Sequence, residues 1–166
     1  MRKMLAVFFF GVTILATHQV FGQEKTIFSI SVNYDLSVES LVAQGKYDWK
    51  SSYITSKNFS TTRKGEATLN LELVPLNQVL TSEEVIAELK KQGLRPAELH
   101  ELLAFGAKYP DEQKKYLIVA LGSVWRDWSG DRGVAYLYGG CDERGLSLHF
   151  FVRRWSVYRR FLAVRI

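Results

Sequence analysis

The chain has 166 residues, with 22 lysines and arginines against 17 aspartates and glutamates, and a single cysteine. That length suits one domain with an adequate core. A lone cysteine excludes an internal disulfide framework, and a formal charge of +5 is too small for a dedicated polyanion binder.

Arg2 and Lys3, the apolar run over residues 4–16 and Val20-Phe21-Gly22 have the layout of a secretory signal. The layout predicts removal of residues 1–22, a single domain over 23–166 and a secreted or cell-envelope location. His18 and Gln19 interrupt the run before the about 20 apolar residues that a membrane span needs. Removal takes Arg2 and Lys3 but no acid, so the charge falls from +5 to +3.

Residues 26–33 alternate, with Phe28, Ile30 and Val32 on one face, and predict a strand. Val38, Leu41 and Val42 have helical spacing over 37–44, and Gly45 is placed to end that turn. Residues 46–64 read as a polar connecting loop that lays Tyr47, Trp49 and Tyr53 back on the core. Within it, Asn58-Phe59-Ser60 fits the glycosylation sequon.

Residues 66–74 give the cleanest strand, with Ala67, Leu69, Leu71 and Leu73 facing one way. Thr81 and Glu84 have capping-box spacing at the head of a helix over 81–92, and Gly93 suits its C′ position. A further helix is predicted from Pro96, burying Leu99, Leu102, Leu103 and Phe105 and leaving His100 partly exposed. Tyr116 to Leu121 is apolar on both faces and predicts a covered central strand. Residues 128–131 read as a turn, 134–138 as a strand, 139–145 as a loop, 146–152 as an alternating strand and 160–166 as a last apolar strand. The predicted class is α+β, with two or three helices and a mostly antiparallel sheet.

Chemistry-bearing residues are sparse. Cys141 and His149 flank one hairpin, but no oxyanion-hole motif or orienting partner accompanies them, so catalysis is not predicted. One cysteine with two distant histidines makes no zinc set. Asp127, Asp131, Asp142 and Glu143 lack calcium-loop spacing and read as salt-bridged turn residues. Neither a metal nor a cofactor is expected. Arg153-Arg154 and Arg159-Arg160, with Trp155 and Tyr158 between, would suit a nucleic acid; four nearby acids and the small charge argue against one. The plainer account is arginine stems covering aromatic faces.

No lysine follows Lys115, whereas residues 122–165 concentrate arginines, aromatics, glycines and aspartates. Such residues build contact surfaces, because they combine large rigid area with adaptable hydrogen bonds. The expected ligand-binding residues are Arg126, Trp128, Asp131, Tyr138, Asp142, His149, Phe151, Arg153, Arg154 and Tyr158. Trp125, Trp155 and Phe161 are expected in the core. An envelope enzyme using Cys141 and a self-associating structural protein are the alternatives.

Residues 94–102 (LRPAELHEL) and 160–165 (RFLAVR) carry a family resemblance. The first is similar to the "RLPTEAEWE" helix segment, and the second to the closing "GFRLVR" strand, of the C-type-lectin-like fold shared by formylglycine-generating-type proteins. Ala97 stands where threonine is usual, and the paired cysteines of the enzyme branch are absent. The chain most resembles the variable proteins of diversity-generating retroelements, in which a C-terminal region is rewritten at template adenines to give a randomised binding surface. The resemblance implies a non-enzymatic binder of a protein or glycan ligand at the cell surface. Trp125, Leu146, Leu148, Trp155 and Phe161 to Arg165 would then be scaffold. Arg126, Asp131, Cys141, His149, Arg153, Arg154 and Tyr158 would be varied positions.

Overall fold

The computed structural model describes residues 25–166; the expected signal segment, 1–22, lies outside the described residues. Twelve elements follow in order: β1 (Ile27–Asn33), α1 (Val38–Gly45), β2 (Trp49–Lys50), β3 (Glu66–Pro75), α2 (Ser82–Lys91), β4 (Leu94–Pro96), α3 (Leu99–Lys108), α4 (Glu112–Lys115), β5 (Leu117–Arg126), β6 (Arg132–Gly139), β7 (Arg144–Phe150) and β8 (Arg159–Arg165). The result is an α+β fold built on an open mixed sheet ordered β1-β3-β8-β5-β6-β7-β2. All pairings are antiparallel except β5 with β8 and β2 with β7. Among the described residues no helix is long and apolar enough to cross a membrane.

Both faces of the sheet are buried over its middle. On the first face, α1, α3 and the 46–65 loop cover Ile30, Leu71, Ile118, Leu137, Leu146 and Leu162. On the second, α2 and the β7–β8 connection cover Val119, Val134, Phe161 and Ala163, with Trp155 as the largest buried group. The Trp155 indole N–H donates to Ser82 Oγ at 2.8 Å, tying that connection to the start of α2. Two-sided cover explains why β5 and β8 read as continuous apolar runs.

The strong local signals hold. Thr81 and Glu84 form the capping box of α2, and Gly93 takes a positive φ of 72° after it. Gly45 does not end α1 by turning left-handed; Lys46 does, at φ 50°. Gly45 is needed because the Tyr47 ring lies where its side chain would be. Residues 94–96 do not begin a helix. They pair with β8, Leu94 opposite Arg165 and Pro96 opposite Ala163, and α3 starts at Leu99 with Glu98 as its cap.

His100 is buried, contrary to its expected partial exposure, because α3 is packed on several sides. Beside it Glu101 is fully buried and satisfied. It accepts from Arg95 Nη1 (2.9 Å) and Nη2 (2.7 Å), from the Tyr34 hydroxyl (2.5 Å) and from the Glu98 amide (2.7 Å). A second polar clamp is Arg144 in β7, which donates to the carbonyls of Gly45 and Gly106, each at 2.7 Å, and so ties α1 and α3 to the β6–β7 hairpin.

Candidate functional site

The end of the β5–β6 hairpin and the far end of β7 carry the exposed aromatic groups Trp128 and Phe150. Trp125, Gly133 and Phe150 are in register across the three strands. Gly133 leaves room for the indole of Trp125 to lie across β6; a side chain there would begin 3.3 Å from that ring. Tyr53, from the 46–65 loop, stacks on Trp125 with ring centroids 5.0 Å apart. Together with Ser51, Leu148 and the hairpin turn they line a groove of about 320 Å³.

The turn at its mouth is self-capped. Asp127 Oδ1 accepts from the Ser129 amide (2.9 Å), the Ser129 hydroxyl (2.7 Å) and the Asp131 amide (2.9 Å). Hydrogen bonds led by that from Ser129 hold the Asp127 carboxyl below its ordinary range. The turn presents Trp128, which is 98% exposed. Phe150 is 47% exposed at the opposite wall, with the Arg153 guanidinium 5.9 Å from its ring centroid. Arg126 is exposed at the end of β5, directly opposite Arg132. Trp128 and Asp131 therefore reach one groove, beside Arg153, while His149 borders it with its ring turned to Trp155 on the second face.

The other expected residues do not join them. Phe151 is not an outward contact. It is only 4% exposed, its amide donates to Arg132 O, and the Arg132 guanidinium lies 4.2 Å from its ring centroid. The alternation along β7 is right, but α2 and the Trp155 connection cover the face onto which Phe151 points, while cover runs out above Phe150. His149 is half-buried rather than projecting, with its ring 5.0 Å from Trp155 and 6.2 Å from Tyr136. Burial first, then Arg153 and Arg159, push its pKa below the ordinary histidine value.

Tyr138 and Asp142 sit at the opposite end of the β6–β7 hairpin, roughly 25 Å away at ~3.3 Å per residue. There Tyr138 joins Tyr136 (5.7 Å) and Trp49 (6.4 Å) in an aromatic row on the second face. Arg154 is exposed and donates to the Val79 carbonyl at 3.3 Å; Tyr158 is 80% exposed on the connection before β8.

Two further expectations are settled. Cys141 is exposed on the β6–β7 turn, whereas His149 pairs with Val134 well along β7, so thiol and imidazole do not meet. Asp127, Asp131, Asp142 and Glu143 form no ion pair with any described residue, and Asp127 acts instead as a turn cap. Arginine over aromatic is widespread, including Arg144 on Tyr47 and Arg160 on Tyr116. Among the described residues no cluster of histidine, cysteine and acids could hold a metal. Trp155 and Phe161 are core as expected, but Trp125 is only half-buried, in the groove wall.

A larger groove, of about 700 Å³, lies between the start of β1 and α4. Its carboxylates are already paired, Glu72 with Lys25 (3.3 Å) and Arg165 (2.8 Å) and Glu112 with Lys115 (2.7 Å), and Arg160 lies over the Tyr116 ring. The smaller groove is the better candidate because its aromatic surface is unspent. Sequence reasoning missed Tyr53, Phe150 and Ser51. Tyr53 and Ser51 lie in a polar loop without periodicity, and Phe150 shares its strand face with the apolar Leu146 and Leu148.

No family model, no curated protein and no solved structure matches this chain.

Proposed function

We propose that the protein is an exported, non-enzymatic binder of a protein or glycan ligand, and that the groove between Tyr53, Trp125, Trp128 and Phe150 is its binding face. The observation that carries this is Trp128. A self-capped turn holds an indole almost wholly in solvent beside a stacked aromatic pair, and an apolar group of that size gains nothing there for the fold. Arg153 and Asp131 supply charge of either sign at the rim for hydrogen bonding.

The finer C-type-lectin-like and diversified reading belongs to the same proposal. It is supported by the start of the first resembling segment, Leu94–Pro96, which pairs as β4 with the second, β8, before the segment runs into α3. It is also supported by exposure of Arg126, Asp131, Cys141, Arg153, Arg154 and Tyr158, while Leu146, Trp155 and Phe161 are buried.

The test is a comparison of the purified protein with Trp128→Ala and Arg153→Ala variants on a glycan array and on immobilised cell-envelope proteins. Specific retention by the parent, lost at least tenfold in the variants at unchanged melting temperature, is expected. Equal retention by all three removes the groove from the function. Diversification is tested separately in DNA: a near-copy of the 122–165 coding region differing only at adenines, beside a reverse transcriptase gene, is the expected finding.

A further inference from the structure

The outer edge of β7 is only half used. The carbonyls of Arg144 and Leu146 point away from β6 and accept the amides of Asp48 and Ser51, each at 2.9 Å. The next inward group is fixed as well, since the Phe151 amide donates to Arg132 O on β6 at 2.8 Å. Backbone groups alternate sides along a strand, so those of Leu148 and Phe150 also point outward. The β2 pairing stops at Lys50 opposite Leu146. The Phe150 carbonyl is taken by the Arg153 amide at 3.3 Å. No described residue hydrogen-bonds to the Leu148 amide, the Leu148 carbonyl or the Phe150 amide.

These three groups lie along the aromatic groove, whose wall includes Leu148 and Phe150 themselves. Resting on the groove assignment made above, we infer that the ligand is an extended peptide segment of a partner protein, added as a strand against Leu148 and Phe150. The same edge already receives a strand of this chain by the same backbone pairing, β2 on Gly145 and Leu146, so the added segment continues an existing interface in line. A peptide backbone repeats donor and acceptor at the spacing this edge offers, whereas sugar hydroxyls do not. Alternate side chains of the segment fall over Tyr53 and Trp125, which selects apolar or aromatic residues there.

The experiment selects displayed random heptapeptides on the purified protein and measures enriched ones against Phe150→Ala and Phe150→Pro. The alanine variant loses the ring and keeps the outward amide; the proline variant loses both. Because that amide points away from β6, the β6–β7 ladder is spared. Enriched heptapeptides with alternating apolar positions are expected. They should bind Phe150→Pro at least tenfold more weakly than Phe150→Ala, and should slow amide exchange at Leu148 and Phe150 of the unsubstituted protein.

Equal binding to both variants, with no slowing at those amides, overturns strand addition. Failure to enrich any heptapeptide, with Trp128-dependent glycan retention intact, overturns the peptide assignment and leaves the groove reading standing. Loss of both signals removes the groove itself. A dimer in sedimentation that Phe150→Pro dissociates makes the occupant a second copy of this chain and overturns the partner assignment.

Discussion

Replacing Glu101 should cost more stability than any surface change. The Glu101→Ala protein leaves Arg95 without its two-pronged partner and strips acceptors from the Tyr34 hydroxyl and the Glu98 amide, in a site where the carboxylate is fully buried. Breaking a buried ion pair on one side costs about 3–5 kcal/mol. At roughly 3–4 °C per kcal/mol for a domain of this size, the melting temperature should fall by about 10–20 °C.

The effect should also depend on pH. Burial pushes the Glu101 carboxyl up, but the hydrogen bonds from Arg95, Tyr34 and the Glu98 amide outweigh it and hold the folded-state pKa below the ordinary glutamate value. A group depressed on folding stabilises fully above its unfolded pKa, about 4.3, and loses that contribution as pH falls through the folded value. The melting-temperature gap between the parent and Glu101→Gln should therefore be widest near neutrality and narrow below about pH 4. Calorimetry across pH 3–7 measures it. A gap under 1 °C at pH 7, or one that does not change with pH, would refute the assignment of this carboxylate as an ionised, structural anchor.

Four more outcomes are expected. Gly106→Ala drives a methyl into the Tyr47 hydroxyl and to 2.9 Å from Leu137 Cδ1, and should destabilise by about 1–3 kcal/mol in urea unfolding. Thr81→Ala removes the side-chain half of the α2 capping box and should cost about 1 kcal/mol by the same measurement. Trp128→Ala should leave the melting curve within about 0.5 kcal/mol of the parent, because the indole makes almost no packing contact. Burial lowers the pKa of His100 as it does that of His149. The unfolded chain then takes up protons first, so stability should decline as pH falls below about 6.5. His100→Gln should flatten that slope in calorimetry, and an unchanged slope would place the proton uptake elsewhere.

How much of this was legible in the residues depends on the range of the forces involved. β3 and α2 were readable because period-2 alternation and the Thr81–Glu84 box are local devices. β4 was not, because its three residues are a strand only by virtue of β8, some seventy positions later, and Pro96 carries an equally good helix-start signal. β2 was hidden for the same reason: Trp49 and Lys50 pair with β7 across a hundred residues.

At the candidate site, chemistry was legible and address was not. Trp128, Asp131 and Arg153 follow from an exposed turn and an arginine-rich end. That Phe150 is the exposed ring and Phe151 the buried one depends on where α2 and Trp155 cover the sheet. Tyr138 and Asp142 lie near Trp128 in sequence, yet one hairpin carries them to its opposite ends.

The position of β8 has a consequence for biogenesis. It is the last of the described elements to leave the ribosome, yet it alone joins the β1–β3 pair to the β5–β6–β7–β2 group. Until it emerges the two half-sheets have no shared strand, and Leu71, Ile118 and Leu162 cannot close their common core. A nascent chain that stops short of residue 159 lacks the pairings of β8 with β3 and β5, and contacts this distant in sequence form late. Loss of the central β8 should therefore be far more damaging than loss of an equal length at the edge strand β1.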